Sequence, residues 1–212
     1  MTENRVPEYG WNSGDSPCSC GYIAPKILEL IESYRLRRVL DLGAGNGALC
    51  AMLARAGCDV VGVEFDEKGF DIARRTYPDI PFHHFGVQDD PAALMSVEQS
   101  FDAVVSTEVI EHLFSPHLLP VYAARTLKAG GLLIISTPYH GYLKNLALSI
   151  FGKWDFHHTA LWHGGHIKFW SRATLTQLLA DNGFEAISFH GVGRLPYLWM
   201  SMVLVARKST HA

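Results

Sequence analysis

With 212 residues, 48% of them apolar and 18% charged, the chain has the length of one domain with a full core and the composition of a folded protein. A net charge of −3 gives no electrostatic footprint for nucleic acid or an anionic membrane, which weighs against RNA or DNA as substrate. Four cysteines, Cys18, Cys20, Cys50 and Cys58, are too few and too unevenly spaced for a secreted disulfide framework. Cys50 and Cys58 fall in apolar segments and read as small buried hydrophobes. The N-terminus lacks a signal-peptide pattern, and no apolar run approaches the ~18 residues a transmembrane helix needs. A cytoplasmic location is therefore expected.

Residues 1–23 are polar and broken by glycine and proline, yet they carry Tyr9 and Trp11. They read either as an arm packed on the core or as a flap over a ligand. From 24 to 34, Ile27, Leu28, Leu30 and Ile31 recur at helical spacing. A short apolar strand then runs into Asp41 and the turn Gly43-Ala44-Gly45-Asn46-Gly47, whose glycines permit positive φ and let a ligand lie against bare backbone. Residues 48–56 read as a helix ended by Gly57, 59–65 as a buried strand finishing at Glu64, and 67–77 as a helix stopped by Pro78. A third strand spans 80–85, followed by the polar turn Gln88-Asp89-Asp90, and a fourth spans 101–106. A helix from Ser115-Pro116 to about 127 leads through Gly130-Gly131 to a fifth strand at 132–136.

Strands that are continuous apolar runs, alternating with helices, imply a parallel sheet covered on both faces. The expected fold is a doubly wound α/β, Rossmann-like, mostly parallel seven-stranded sheet, its ligand lying outside the carboxyl ends of the strands. Residues 139–166 interrupt the alternation with an aromatic- and histidine-rich segment, read as a lid over substrate or a weak membrane-facing patch. Ser171 caps a last helix ended by Gly183. Strands at 184–190 and 199–206 close the domain, which spans 24–206 and leaves 207–212 as a tail.

Asp41 chooses between two ligand classes. A dinucleotide site would place its pyrophosphate beside the glycines, where Asp41 repels it. The sulfonium and amine of S-adenosyl-L-methionine are attracted by the same carboxylate. Asp41-Leu42-Gly43-Ala44-Gly45-Asn46-Gly47 with Glu64 resembles the first two signature motifs of class I S-adenosylmethionine-dependent methyltransferases. The fourth strand Phe101-Asp102-Ala103-Val104-Val105 and Leu127-Lys128-Ala129-Gly130-Gly131 extend that resemblance over about 24–206. It implies that Asp41, Gly43 and Gly45 lie against the methionine moiety, that Glu64 holds the ribose, that Phe65 flanks the adenine and that Gln88 or Asp89 sits at its edge. Gly47 reads instead as helix–strand packing.

Glu108-Val109-Ile110-Glu111-His112 places two carboxylates and an imidazole at i, i+3 and i+4, on one face if the stretch is helical. It resembles the E-x-x-E-H of ubiquinone-biosynthesis O-methyltransferases and of small-RNA 3′-end 2′-O-methyltransferases, where it is associated with a divalent metal at the acceptor hydroxyl. The RNA-directed family adds a histidine before an aromatic segment, where this chain has His166, with His163 as a rival. That resemblance implies Glu108, Glu111, His112 and His166 around Mg²⁺, Mn²⁺ or Zn²⁺, a mixed donor set that does not choose among them. The alternative is metal-free chemistry with His112 or His166 as general base, and Glu111, His112 and His166 are the candidate catalytic residues. A small-molecule hydroxyl is the expected acceptor, ahead of an RNA 3′ end. An NAD-dependent oxidoreductase and a non-catalytic cofactor-binding protein are the competing classes. Asp41 argues against the first and the Glu- and His-rich rim against the second.

Overall fold

The computed structural model describes residues 11, 13–15, 17–158, 161 and 164–209. Tyr9, His163 and the tail residues 210–212 lie outside the described residues. In chain order the elements are α1 (Cys20–Ser33), β1 (Arg38–Leu42), α2 (Ala48–Arg55), β2 (Asp59–Val63), α3 (Glu67–Thr76), β3 (Phe82–His83) and α4 (Pro91–Met95). They continue with β4 (Phe101–Thr107), a 3₁₀ turn (Ile110–His112), α5 (Leu118–Thr126), β5 (Leu127–Pro138), α6 (Tyr142–Ile150), α7 (Trp154–His158), α8 (Arg172–Asp181), β6 (Phe184–Val192) and β7 (Ser201–Lys208).

The seven strands form one sheet in the order β3-β2-β1-β4-β5-β7-β6. All neighbouring pairs from β3 to β5 are parallel, and β7 runs antiparallel between β5 and β6. The doubly wound sheet with an antiparallel closing strand expected from the sequence is thus the one observed. Alternate residues of the central strands feed two cores. Leu40, Leu42, Val104, Leu133 and Ile135 pack with Tyr122 of α5 and with Leu175 and Leu179 of α8. Val39, Val105 and Ile134 pack with Ile27 and Ile31 of α1 and Leu49 and Leu53 of α2. A strand buried on both faces needs apolar residues at every position, which is why these read as continuous runs.

Several boundaries moved for local reasons. Helix α1 starts four residues early, because Cys20 N–H donates to Pro17 O and Ile23 N–H to Ser19 O before Pro25 is reached. Strand β3 is an edge strand of two residues, short as exposed edges often are. Helix α4 was not expected; Asp90 caps it by accepting from Ala92 N–H, with Pro91 in its first turn. Ser171 caps α8 in a reciprocal box with Thr174. Gly47 faces Phe82, Ala73 and Tyr77, where a Cβ would stand 2.8–3.0 Å from them, so it serves packing. Among the described residues no helix is long and apolar enough to cross a membrane.

Candidate active site

The parallel strands β1, β2, β4 and β5 end on one rim, and a cavity of about 270 Å³ opens there. Asp41, Gly43, Gly45, Glu64, Phe65, Gln88, Glu108 and His112 all line it. Asp89 does not; its carboxylate accepts from Gly86 N–H at 2.7 Å and closes the turn beside Gln88.

The glycine turn is held by its neighbours. Gly43 N–H and Ala44 N–H both donate to Val63 O, at 2.8 and 2.9 Å, and Gly45 N–H donates to Glu64 Oε2 at 2.6 Å. Gly43 has φ 89° and a Cβ there would stand 2.4 Å from Val109, so only glycine fits. Glu64 Oε1 accepts from Asp66 N–H at 2.7 Å. Both carboxylate oxygens thus accept a backbone N–H. Burial raises the Glu64 pKa.

Asp41 is fully buried between β2 and β4. Its Oδ2 accepts the Cys50 thiol at 3.2 Å, while Oδ1 has no hydrogen-bond partner among the described residues. Burial pushes its pKa to about 7. A buried carboxylate with a vacant oxygen in a cavity wall fits a cationic ligand and not a pyrophosphate. Cys50, read from the sequence as a hydrophobe, is buried and is also the donor to this carboxylate.

The arm reaches the cavity. Asn46 Nδ2 donates to Ser13 O at 2.9 Å and Asp15 O at 2.7 Å, and Tyr77 OH donates to Gly14 O at 3.2 Å. These bonds seat Trp11 over Gly45 and Gly69, where a Cβ would stand 2.5 and 3.0 Å from the indole. Trp11, Pro17, Ser19 and Cys20 join the cavity wall.

The second motif departs from its expected shape. Glu108 is not on a helix: its φ is 54°, and only Ile110–His112 form a helical turn, of the 3₁₀ type. The arc of Glu108, Glu111 and His112 on one helical face does not form. Glu108 instead accepts from Ser136 Oγ at 2.8 Å and Ser201 Oγ at 3.2 Å, bonds that hold the strained backbone. Burial raises its pKa to about 7. Glu111 is completely buried, with Oε2 accepting from Thr137 Oγ1 at 3.0 Å. Its Oε1 has no hydrogen-bond partner among the described residues and lies 4.0 Å from His112 Nε2. Burial, and then the charge of Glu108, raise the Glu111 pKa well above the carboxylate range.

His166 arrives by backbone pairing. Ile167 N–H and Lys168 N–H both donate to Glu111 O, at 2.9 and 3.0 Å, which brings the His166 ring within 5.0 Å of His112, edge to face. The His112 Nδ1 lies 3.2 Å from Gly165 O, which favours the tautomer with the proton on Nδ1. Donor atoms of Glu111, His112 and His166 all lie within 4.8 Å of one another. Burial lowers both histidine pKa values, that of His166 to about 4. Among the described residues, Glu108 is not part of this three-residue group.

Sequence reasoning passed over Lys144 and His140. Lys144 is buried on α6, its Nζ donating to Met200 O at 3.3 Å, and burial lowers its pKa to about 8. A lysine inside the apolar run of 143–150 was its signal. His140, His157 and His158 cluster nearby, with burial holding their pKa values down, to about 3 for His140 and about 4 for His157.

A parallel sheet whose rim offers a bare glycine turn, a buried acid before it and a second acid one strand over is the architecture of a nucleotide-type cofactor enzyme with a cationic cofactor. A family model described as a methyltransferase domain matches residues 21–188. The chain belongs to that family and is an S-adenosylmethionine-dependent methyltransferase. It is 30% identical over 199 residues to a ubiquinone biosynthesis O-methyltransferase of Roseobacter denitrificans, covering 87% of this chain and 77% of that protein. Among solved structures it resembles the magnesium protoporphyrin IX methyltransferase of Synechocystis with bound SAH, with TM-score 0.64, 21% identity and coverage of 88% and 82% of the two chains. It also resembles the 1,6-didemethyltoxoflavin-N1-methyltransferase of Burkholderia thailandensis, with TM-score 0.62, 20% identity and coverage of 88% and 77%. The oxidoreductase reading of the glycine turn is set aside by this membership.

Proposed function

We propose that this methyltransferase acts on the hydroxyl of a small aromatic molecule, aided by a divalent ion between Glu111, His112 and His166. The observation that carries the reading is the convergence of those three donor sets beside a cavity that His112 lines. The vacant Glu111 Oε1 and the orientation of His112 suit the group to an ion. The O-methyltransferase name of the relatives supports oxygen as the accepting atom.

S-adenosylmethionine supplies a methyl group on a positively charged sulfur, which leaves as a neutral thioether. Asp41 faces that charge, Gly43 and Gly45 give it bare backbone, Glu64 holds the ribose, and Phe65 and Gln88 border the adenine. Asp89 acts through the turn it closes. An acceptor hydroxyl is a poor nucleophile until it loses its proton. A divalent ion held by Glu111, His112 and His166 would lower the hydroxyl pKa; in the metal-free alternative a neutral His166 or His112, its lone pair not engaged by an ion, receives the proton. Glu108, bonded to two serines, positions the rim rather than joining the ligand group. The arm through Trp11 acts as a flap over the cofactor, and residues 139–166 as a lid over the acceptor. The exposed apolar residues of α6, Tyr142, Leu143, Leu146 and Ile150, support weak association with a lipid surface from which an apolar acceptor is drawn.

The test is calorimetric titration of S-adenosylmethionine with and without Mg²⁺, Mn²⁺ or Zn²⁺, with the Glu111→Ala variant beside the wild type, followed by labelled methyl transfer to a panel of phenols and catechols. Failure to bind the cofactor would contradict the family assignment. Transfer that survives chelation and Glu111→Ala would leave His112 or His166 as an unaided base.

A further inference from the structure

A second group of metal-type donors stands outside the site just described. His140 lies two residues beyond the end of β5, and His157 and His158 close α7. One ring nitrogen from each lies within 4.8 Å of those of the other two. His140 Nε2 and both ring nitrogens of His158 are buried and have no hydrogen-bond partner among the described residues. Buried imidazole nitrogens almost always find a partner, so three vacant ones in a single cluster point to a ligand. Ring contacts support the arrangement: Phe169 meets His140 and His158 edge-on at 5.2 and 5.1 Å, and Trp154 lies 4.3 Å from His158.

We propose that His140, His157 and His158 bind one zinc ion, which fastens α7 of the insertion to the end of β5. The donor set is three imidazoles with no carboxylate among the described residues. Such a set suits Zn²⁺ and refuses Mg²⁺ and Ca²⁺, which require oxygen. Zinc–nitrogen bonds of about 2.0–2.1 Å and tetrahedral angles place ligand nitrogens ~3.3 Å apart, so the rings close by small side-chain rotations. A three-histidine site leaves a fourth position for water. The Lys144 ammonium, whose charge acts on all three rings, is anchored on Met200 O.

The consequence is structural. Helix α7 has five residues, too short to hold itself in water, and an ion tying it to β5 fixes the insertion over the rim. His166 of the proposed acceptor site lies close enough to feel the charge of His157 and His158, so the pinned helix borders that site without sharing its ligands. The zinc site does not depend on the nature of the acceptor.

The experiment is zinc titration of the chelator-treated full chain against a chromophoric chelator, in excess Mg²⁺, for the wild type, His140→Ala, His158→Ala and Glu111→Gln. Circular dichroism and cofactor binding verify folding, and hydrogen exchange follows residues 139–158. One zinc equivalent is expected that Glu111→Gln retains; a second equivalent in the wild type, held by Glu111, His112 and His166, is the one that Glu111→Gln weakens. The affinity of the retained equivalent should fall in both histidine variants by more than the 10–100-fold that losing an outer partner costs. Zinc should slow exchange across α6 and α7. The proposal is overturned if Glu111→Gln loses all zinc, or if His140→Ala and His158→Ala bind it as the wild type does. The Glu111 and His112 site can fail in either titration without touching this result, because it is read separately through Glu111→Gln.

Discussion

Asp41 Oδ2 accepts the thiol of Cys50 at 3.2 Å, so the acid before the glycine turn is held by a residue nine positions later in the sequence, on the following helix. The other oxygen has no hydrogen-bond partner among the described residues. Burial lifts the Asp41 pKa to about 7 in the folded chain, far above that of an unfolded aspartate.

Between the unfolded pKa and about 7 the unfolded chain has released its proton while the folded chain retains it, so stability falls as pH rises through that window. At about 1.4 kcal/mol per unit the penalty approaches ~4 kcal/mol above it. Asp41→Asn should therefore raise the denaturation midpoint at pH 8 and flatten its pH profile. The same variant should weaken cofactor binding by tenfold or more if, as proposed, the ionised carboxylate faces the sulfonium. In the wild type, cofactor affinity should rise with pH through about 7, with proton release on binding below that pH read by calorimetry in buffers of different ionisation enthalpy.

Asn46, in the cavity wall, ties the arm to the glycine turn. Its side-chain amide carries two arm carbonyls, those of Ser13 and Asp15. Asn46→Ala removes both, at roughly 0.5–1.5 kcal/mol for each bond. Faster proteolysis is expected around residues 13–17, together with a several-fold loss of cofactor affinity and a shift of tryptophan emission as Trp11 leaves Gly45. A variant with wild-type proteolysis and affinity would show that the arm is not a flap.

The sheet was legible because its strands are apolar without interruption, and Asp41, Gly43, Gly45 and Glu64 were legible because each ends a strand or opens a turn. The acceptor side was harder. Glu108 to His112 has helical spacing, but the left-handed φ of Glu108 depends on Ser136 and Ser201, which lie 28 and 93 residues away. Local periodicity carries no trace of such partners. His166 joins His112 through two backbone bonds to Glu111 O, a pairing that only the folded chain makes. Lys144 and His140 gain meaning only from burial, which a histidine-rich loop does not advertise.

The apolar face of α6 leads to a surface prediction. Ile150 is 68% and the adjoining Phe151 74% exposed, an arrangement that water alone does not favour. The wild type should sediment with phosphatidylcholine vesicles, and the double variant Ile150→Glu, Phe151→Glu should remain in the supernatant with unchanged cofactor affinity. Equal partition of both proteins would remove the lipid surface from the account.

Glu111 ties the proposed acceptor chemistry to stability. Its side chain is fully buried, one oxygen bonded to Thr137 and the other vacant toward His112. Glu111→Gln keeps the shape and the bond to Thr137 but removes an ionisable group that burial and Glu108 both oppose. The variant should be as stable as the wild type or more so at pH 8, by roughly 1–3 kcal/mol. It should lose Mn²⁺ affinity by at least about tenfold and methyl transfer by roughly a hundredfold, with cofactor affinity retained. Chemical denaturation, manganese titration and single-turnover transfer separate these effects. Stability gained with transfer intact would mark Glu111 as a structural acid, whereas stability gained with transfer lost would identify a carboxylate buried for catalysis at the expense of the fold.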